Sequence, residues 1–274
     1  NFDSVKQDAL KKQVKNDESD EQIMDRIGKR FKILDDMTRA AKEGDIRAMI
    51  VSGPPGVGKS YGVEEQLNKD SVFDDIGSNN RKFEVVKGAM SAIGLYAKLY
   101  KYSDPKNVVV FDDCDSVLLD DLSLNILKAA LDTSKKRYIS WNTDSRLLRS
   151  EGIPDRFEFK GGAIFITNIK FENVRSKKLK DHLEALESRC HYVDLTIDTE
   201  REKMLRIKQI VRDGMLDDYD MPQERKDDVV EFISENSKRL RELSLRTVLK
   251  CADLAKSFPS NWRDYAATTV LRSS

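Results

Sequence analysis

Apolar residues recur along this chain with two different periods. Between Asp20 and about Ala41, Ile23, Met24, Ile27, Phe31, Leu34 and Met37 follow one another mostly at three- and four-residue spacing, with Ile33 beside them. That spacing predicts one amphipathic helix turned toward a core. Glu43-Gly44-Asp45 ends it. The period then gives way to short continuous apolar runs at Ala48–Val51, Phe83–Val86, Val108–Phe111, Ala163–Thr167 and Tyr192–Leu195. Helical patterns lie between them, from Ser60 to about Leu67 and over Ser91–Tyr102, Asp120–Leu131 and Leu179–Leu186. Buried strands alternating with helices predict an α/β fold with a parallel sheet covered on both faces.

Two segments alternate strictly instead. Arg137–Trp141 and Phe157–Phe159 read as an inserted hairpin, with Thr143 to Pro154 as its irregular tip. After about Thr199 the strand-like runs stop. Arg201–Asp213, Gln223–Glu235, Leu243–Lys256 and Asn261–Leu271 read as four helices, punctuated by Gly214, Pro222 and Pro259. The expected layout is a charged tail or frayed helix at 1–20, an α/β domain at 21–198 and a small all-α domain at 199–274. No internal repeat is evident.

Composition narrows the class. At 274 residues the chain can remove roughly 70–75% of its unfolded surface from water. With 39% hydrophobic and 35% charged residues, and only 13 Gly and 6 Pro, collagen-like and low-complexity chains are excluded. No apolar stretch reaches about 18 residues, so no membrane partner is expected. The opening Asn-Phe-Asp-Ser shows no secretory pattern, and the first residue is not Met, which suits numbering that starts inside a longer product. Lys+Arg and Asp+Glu balance at 48 each, against a polybasic protein but compatible with a local basic stripe. Cys114, Cys190 and Cys251 are far apart, and with only His182 and His191 there is no zinc pattern. A reduced, cytoplasmic chain is expected.

The chemistry concentrates at two places. Gly53-Pro54-Pro55-Gly56-Val57-Gly58-Lys59-Ser60 satisfies G-x-x-x-x-G-K-[ST], between a strand run and a helix. Glycines there let backbone N–H groups converge on phosphate oxygens, and the helix N-terminus adds about half a positive charge. Lys59 would reach the β- and γ-phosphates of ATP, Ser60 would offer its hydroxyl to Mg²⁺, and Tyr61 completes the binding stretch. The second place is Val108-Val109-Val110-Phe111-Asp112-Asp113, four apolar residues ending in two acids. Asp112 would hold Mg²⁺ and Asp113 would orient or deprotonate the attacking water.

These paired motifs and the helical C-terminal part resemble the AAA+ ATPase superfamily, over about residues 25–256. The resemblance implies a P-loop NTPase sheet (the AAA+ module) with an all-α lid. It implies roles for Asn168 as a sensor-1 residue and for Arg246 as a sensor-2 arginine, with Arg239 and Arg241 nearby. Ser188-Arg189-Cys190 resembles the finger motif of clamp-loader subunits, which would put Arg189 on a neighbour's nucleotide. That in turn implies a homo-oligomer, a ring or spiral, hexameric by preference. Where most AAA+ proteins carry Asp-Glu, this chain carries Asp112-Asp113, which implies slow hydrolysis or hydrolysis only in an assembly. Asp115, completing Asp-Asp-Cys-Asp, echoes clamp loaders or caps the next turn.

The target of such a motor is less determined. Lys87-Gly88-Ala89-Met90 falls where a channel loop is expected and lacks the aromatic of protein-threading machines. Lys87 could hold a nucleic-acid backbone, or the segment is a plain turn. Lys135-Lys136-Arg137, with Trp141, Arg146 and Arg149, could clamp nucleic acid or pack on a neighbouring subunit. Lys177, Lys178 and Lys180 read most simply as a solvated helix start. Three readings follow: an ATPase remodelling nucleic acid or nucleoprotein, one remodelling a protein partner, and a nucleotide-dependent assembly switch. The compact length and charged tail suit a phage or mobile-element accessory ATPase, acting in the host cytoplasm if viral.

Overall fold

The computed structural model describes residues 18–69 and 82–273. The tail expected at 1–20 therefore lies almost wholly outside the described residues. The chain forms two compact units. One comprises Phe31–Pro54 and Lys59–Thr196, the other the residues up to Arg30, Pro55–Gly58 and Ile197 onward.

The first unit is built on five strands, β1 (Ala48–Ser52), β2 (Phe83–Lys87), β3 (Val108–Asp112), β6 (Gly162–Thr167) and β7 (His191–Asp194). They lie in the order β2-β3-β6-β1-β7 and every pairing is parallel. The apolar runs explain this. Every residue of β1, β3 and β6 is buried, as in strands covered on both faces. Helices α2 (Lys59–Asn68), α3 (Ala92–Lys101), α5 (Asp121–Ala130) and α7 (Lys177–Glu187) alternate with the strands. Phe111 and Phe165 stack between adjacent strands with centroids 5.2 Å apart, and Tyr96, Leu99, Leu124 and Leu127 close the core over them. Parallel register brings the carboxyl ends of all five strands to one edge, where ligands bind in open α/β sheets.

The inserted hairpin is real but smaller than its pattern. β4 (Tyr138–Ser140) pairs antiparallel with β5 (Arg156–Glu158), with Ile139 and Phe157 buried. Its tip is not wholly irregular. Ser145 caps a short helix, α6 (Arg146–Ser150), by accepting from Leu148 N–H. Arg137 is not part of a free basic cluster either. It is 5% exposed, donates to the Ala130 and Gly161 carbonyls at 2.9 and 3.2 Å, and sits over the Phe159 ring. A further short helix, α4 (Asp115–Leu118), follows β3 directly, and single 3-10 turns occur at Phe171–Asn173 and Asp217–Tyr219.

The second unit is helical. Helix α1 (Asp20–Glu43) contributes its first half, and α8 (Glu200–Arg212), α9 (Gln223–Glu235), α10 (Leu245–Ser257) and α11 (Trp262–Val270) supply the rest. Thr199 and Glu202 form a capping box at the start of α8. Glu202 also binds Arg26 of α1 at 2.8 Å, and Arg26 holds Glu18 at 2.8 Å as well. Val229, Phe232, Ile233, Val248, Cys251 and Trp262 form this unit's core. Burial pushes the three thiols up, Cys114 to about 11 and Cys190 and Cys251 to about 12.

Candidate nucleotide site

β1 delivers Gly53 and Pro54, and α2 begins at Lys59. Lys59 is 6% exposed. Its ammonium donates to the Gly53 and Pro54 carbonyls at 2.8 and 2.6 Å and to Asn168 Oδ1 at 2.8 Å. The Asn168 amide then donates from Nδ2 to Asp113 Oδ1 at 3.2 Å. Residues 59, 113 and 168 are thus one connected network, although they come from the start of α2, the turn after β3 and the turn after β6.

The supports of this network are local. Buried Thr167 donates its hydroxyl to Asp115 Oδ1 at 2.9 Å and accepts from Ile169 N–H at 3.0 Å. That pair ties the turn after β3 to the end of β6 and sets Asn168 beside Asp113. Asp113 donates its own N–H to the Ile166 carbonyl at 3.1 Å and adopts φ +52°. Left-handed backbone is uncommon outside glycine, and Asp and Asn tolerate it best. The turn separates two adjacent carboxylates. Asp113 is exposed beside Asn168, whereas Asp112 is 4% exposed and accepts a hydrogen bond from the Ser60 hydroxyl. Burial pushes the Asp112 pKa up, with Ser60 and Lys87 pulling the other way.

The middle of the phosphate loop needs its glycines for space. Gly56 has φ +72°, and a Cβ there would lie 2.3 Å from Ser244 Cβ; Gly58 has φ +98°, with Ile210 at 2.8 Å. The Gly56 carbonyl accepts from Leu245 N–H at 2.9 Å. Buried Arg206 of α8 donates from Nε to the Val57 carbonyl at 3.2 Å and from Nη1 to Gln209 at 2.9 Å. Arg206 was missed in the sequence because one cation on an amphipathic helix reads as surface. Pro55 and Tyr61 are exposed.

Arg246, in the first turn of α10, is 57% exposed and pairs with Glu242 at 3.6 Å. Arg189 follows α7 and folds back, donating to the Ala185 carbonyl at 2.6 Å, while its Nε is buried with no hydrogen-bond partner among the described residues. In the segment expected to form a channel loop, Gly88 and Ala89 are exposed. Met90 is half-buried and its N–H donates to Ser116 Oγ at 3.2 Å. Lys87 pairs with Glu64 at 3.0 Å and with Asp112 at 3.6 Å.

The residues fit a Mg²⁺ nucleotide. Mg²⁺ keeps several waters and takes one or two protein oxygens beside substrate phosphates. A buried carboxylate with a hydroxyl on it, Asp112 with Ser60, matches that need. Among the described residues no group of three or more His, Cys, Asp or Glu is placed to hold a metal without such help.

Sheet order, phosphate loop and acidic strand end define the class: a P-loop α/β fold with a five-stranded parallel sheet and C-terminal helices, as the AAA+ resemblance implied. The chain belongs to the same family as an uncharacterized 36.7 kDa protein of the nrdC–mobD intergenic region of Enterobacteria phage T4. The two are 37% identical over 268 residues, 97% of this chain and 79% of the phage protein. No family model matches the chain. Among solved structures, the ADP form of the Aeropyrum pernix ORC2 protein is 12% identical with a TM-score of 0.46, over 88% of this chain. PCH-2 of C. elegans is 13% identical with a TM-score of 0.35, over 91% of this chain. The chain spans 66% and 65% of those two chains. Among the described residues no helix is long and apolar enough to cross a membrane.

Proposed function

We propose that the protein is an AAA+-type ATPase that binds ATP with Mg²⁺ and hydrolyses it. The observation that carries this reading is the continuous network Lys59–Asn168–Asp113 beside the Ser60–Asp112 pair. In it, Gly53 to Tyr61 hold the phosphates, with Lys59 on the terminal ones. Ser60 and Asp112 hold the cation, which supplies charge neutralisation at the phosphates when bound. Asp113 orients or deprotonates the attacking water, and Asn168 fixes that carboxylate and feels the terminal phosphate through Lys59. Arg189 acts from a neighbouring subunit within a homo-oligomeric ring or spiral, and Arg246 has the sensor-2 role.

The proposed target is nucleic acid or nucleoprotein. The hairpin supports it: exposed Tyr138 has Arg156 4.4 Å over its ring, a pairing of aromatic and cation that suits bases and phosphates. Lys87 supports it less, since Glu64 and Asp112 share its charge. The phage T4 relative supports action in an infected host's cytoplasm.

The test is binding of a fluorescent ATP analogue with and without Mg²⁺, together with the rate of phosphate release. The native protein is expected to bind in a Mg²⁺-dependent way, and Lys59→Ala to weaken binding by tenfold or more, about 1.4 kcal/mol or above. Equal binding by the two proteins would end the reading. Hydrolysis stimulated by single-stranded or duplex DNA, fading with salt, would support the nucleic-acid target. Stimulation by neither would shift the target to a protein.

A further inference from the structure

Lys87 and Asp112 are register partners on adjacent parallel strands, so the ladder holds them side by side on one face. The Lys87 ammonium lies 3.6 Å from Asp112 Oδ2 and closer, at 3.0 Å, to Glu64 on α2. The three groups differ in freedom. The Asp112 side chain is 6% exposed and fixed by Ser60, whereas Lys87 and Glu64 are 61% and 38% exposed. Beyond Lys87, Gly88 has φ +91°, and among the described residues nothing lies within 4 Å of where a Cβ would stand. The exposure of its side chain leaves the lysine room to move.

We infer that Lys87 is a tethered counter-ion for Asp112 that competes with the divalent cation for that carboxylate, and that Glu64 is the seat to which its ammonium withdraws. The inference rests on the Mg²⁺–nucleotide reading above. A buried carboxylate is costly unless a positive charge compensates it. Lys87 supplies part of that compensation through Oδ2. A divalent cation arriving between Ser60 and Asp112 brings a second positive charge to the same oxygens. Two cations within a few ångströms of one carboxylate repel each other, and the singly charged, flexible one yields. Glu64 makes withdrawal easy because its hydrogen bond to Lys87 already exists and is the main cause of the raised Lys87 pKa. The site then has an ordered exchange: ammonium out to Glu64, metal in to Ser60 and Asp112.

The experiment measures Mn²⁺ binding to the full chain without nucleotide, by loss of the free-ion paramagnetic resonance signal. Lys87→Met is expected to bind Mn²⁺ roughly fivefold more tightly, in the range of a partly exposed ion pair. Glu64→Gln is expected to bind it more weakly, because the ammonium then stays on Asp112. General electrostatics predicts the same two signs, so the double variant decides. In a Lys87→Met background, Glu64→Gln should change Mn²⁺ affinity less than twofold. The same weakening with and without Lys87 would overturn the inference, as would unchanged affinity in Lys87→Met. In either case Mn²⁺ binding by the native protein would leave the nucleotide reading standing. Absence of Mn²⁺ binding from every form, with or without ATP, would overturn both.

Discussion

Asp112 is buried at the end of β3, and burial pushes its pKa up. A carboxyl with a raised folded-state pKa binds more protons in the native than in the unfolded state. Stability therefore falls as pH rises through the window between the two values, and the loss is complete above it. Asp112→Asn removes that contribution. The variant is expected to melt a few degrees higher than the native protein at pH 7, with the gap narrowing toward pH 4, while losing Mg²⁺-dependent nucleotide binding. A lower melting temperature at pH 7 would mean that Ser60 and Lys87 already offset the burial. Such a trade of stability for chemistry is common at working sites.

At the scale of elements, the Glu84 carboxylate ties β2 to the C-terminal end of α3. Burial opposes the charge of Glu84, but donors from Lys98, Tyr102 and Lys101 outweigh it and hold its pKa at about 2. Tyr102 lies 2.6 Å away and Lys98 2.8 Å. The stability this gives is fully present above the unfolded value near 4.5 and is lost as pH falls toward 2. Glu84→Gln is expected to melt below the native protein at pH 6, with the two curves converging between pH 4.5 and 2. Parallel curves would show that the cluster contributes no charge-dependent stability. The central strands were legible in the sequence because a strand buried on both faces has no polar side, as at Val108–Phe111; the edge strands β2 and β7 are only partly buried. The phosphate loop was legible because its spacing is local. What escaped was non-local or short. Arg137 lies in a Lys-Lys-Arg run that reads as surface, and only the fold supplies the Ala130 and Gly161 carbonyls that it satisfies. Helix α6 has five residues, too few to show a period. The link of Lys87 to Glu64 and Asp112 joins residues more than twenty positions apart on either side.

At the scale of the whole molecule, the proposed oligomer turns on Arg189. Its guanidinium folds back onto the Ala185 carbonyl, and its buried Nε has no hydrogen-bond partner among the described residues. A buried donor left unpaired costs about 1–3 kcal/mol, so a partner for it would be a gain. Arg189→Ala is expected to keep the native affinity for an ATP analogue and to lose the rise of specific hydrolysis rate with protein concentration. A native concentration dependence in the variant would remove Arg189 from the interface role. The network of Lys59, Asn168 and Asp113 should be unaffected, because none of its hydrogen bonds passes through residue 189.

The left-handed turn at Asp113 has a consequence for how this site can vary. The backbone there favours glycine, asparagine and aspartate, and resists longer or β-branched side chains. The proposed role of Asp113 asks only for an acid. Of the two acids, aspartate satisfies both demands, whereas glutamate gains reach and loses conformational ease. A library of all residues at position 113 selected for folding would be filled by glycine and asparagine, and the same library selected for ATP turnover would discard both. Aspartate is where the two selections overlap, which gives a backbone reason for the second acid here being the shorter one.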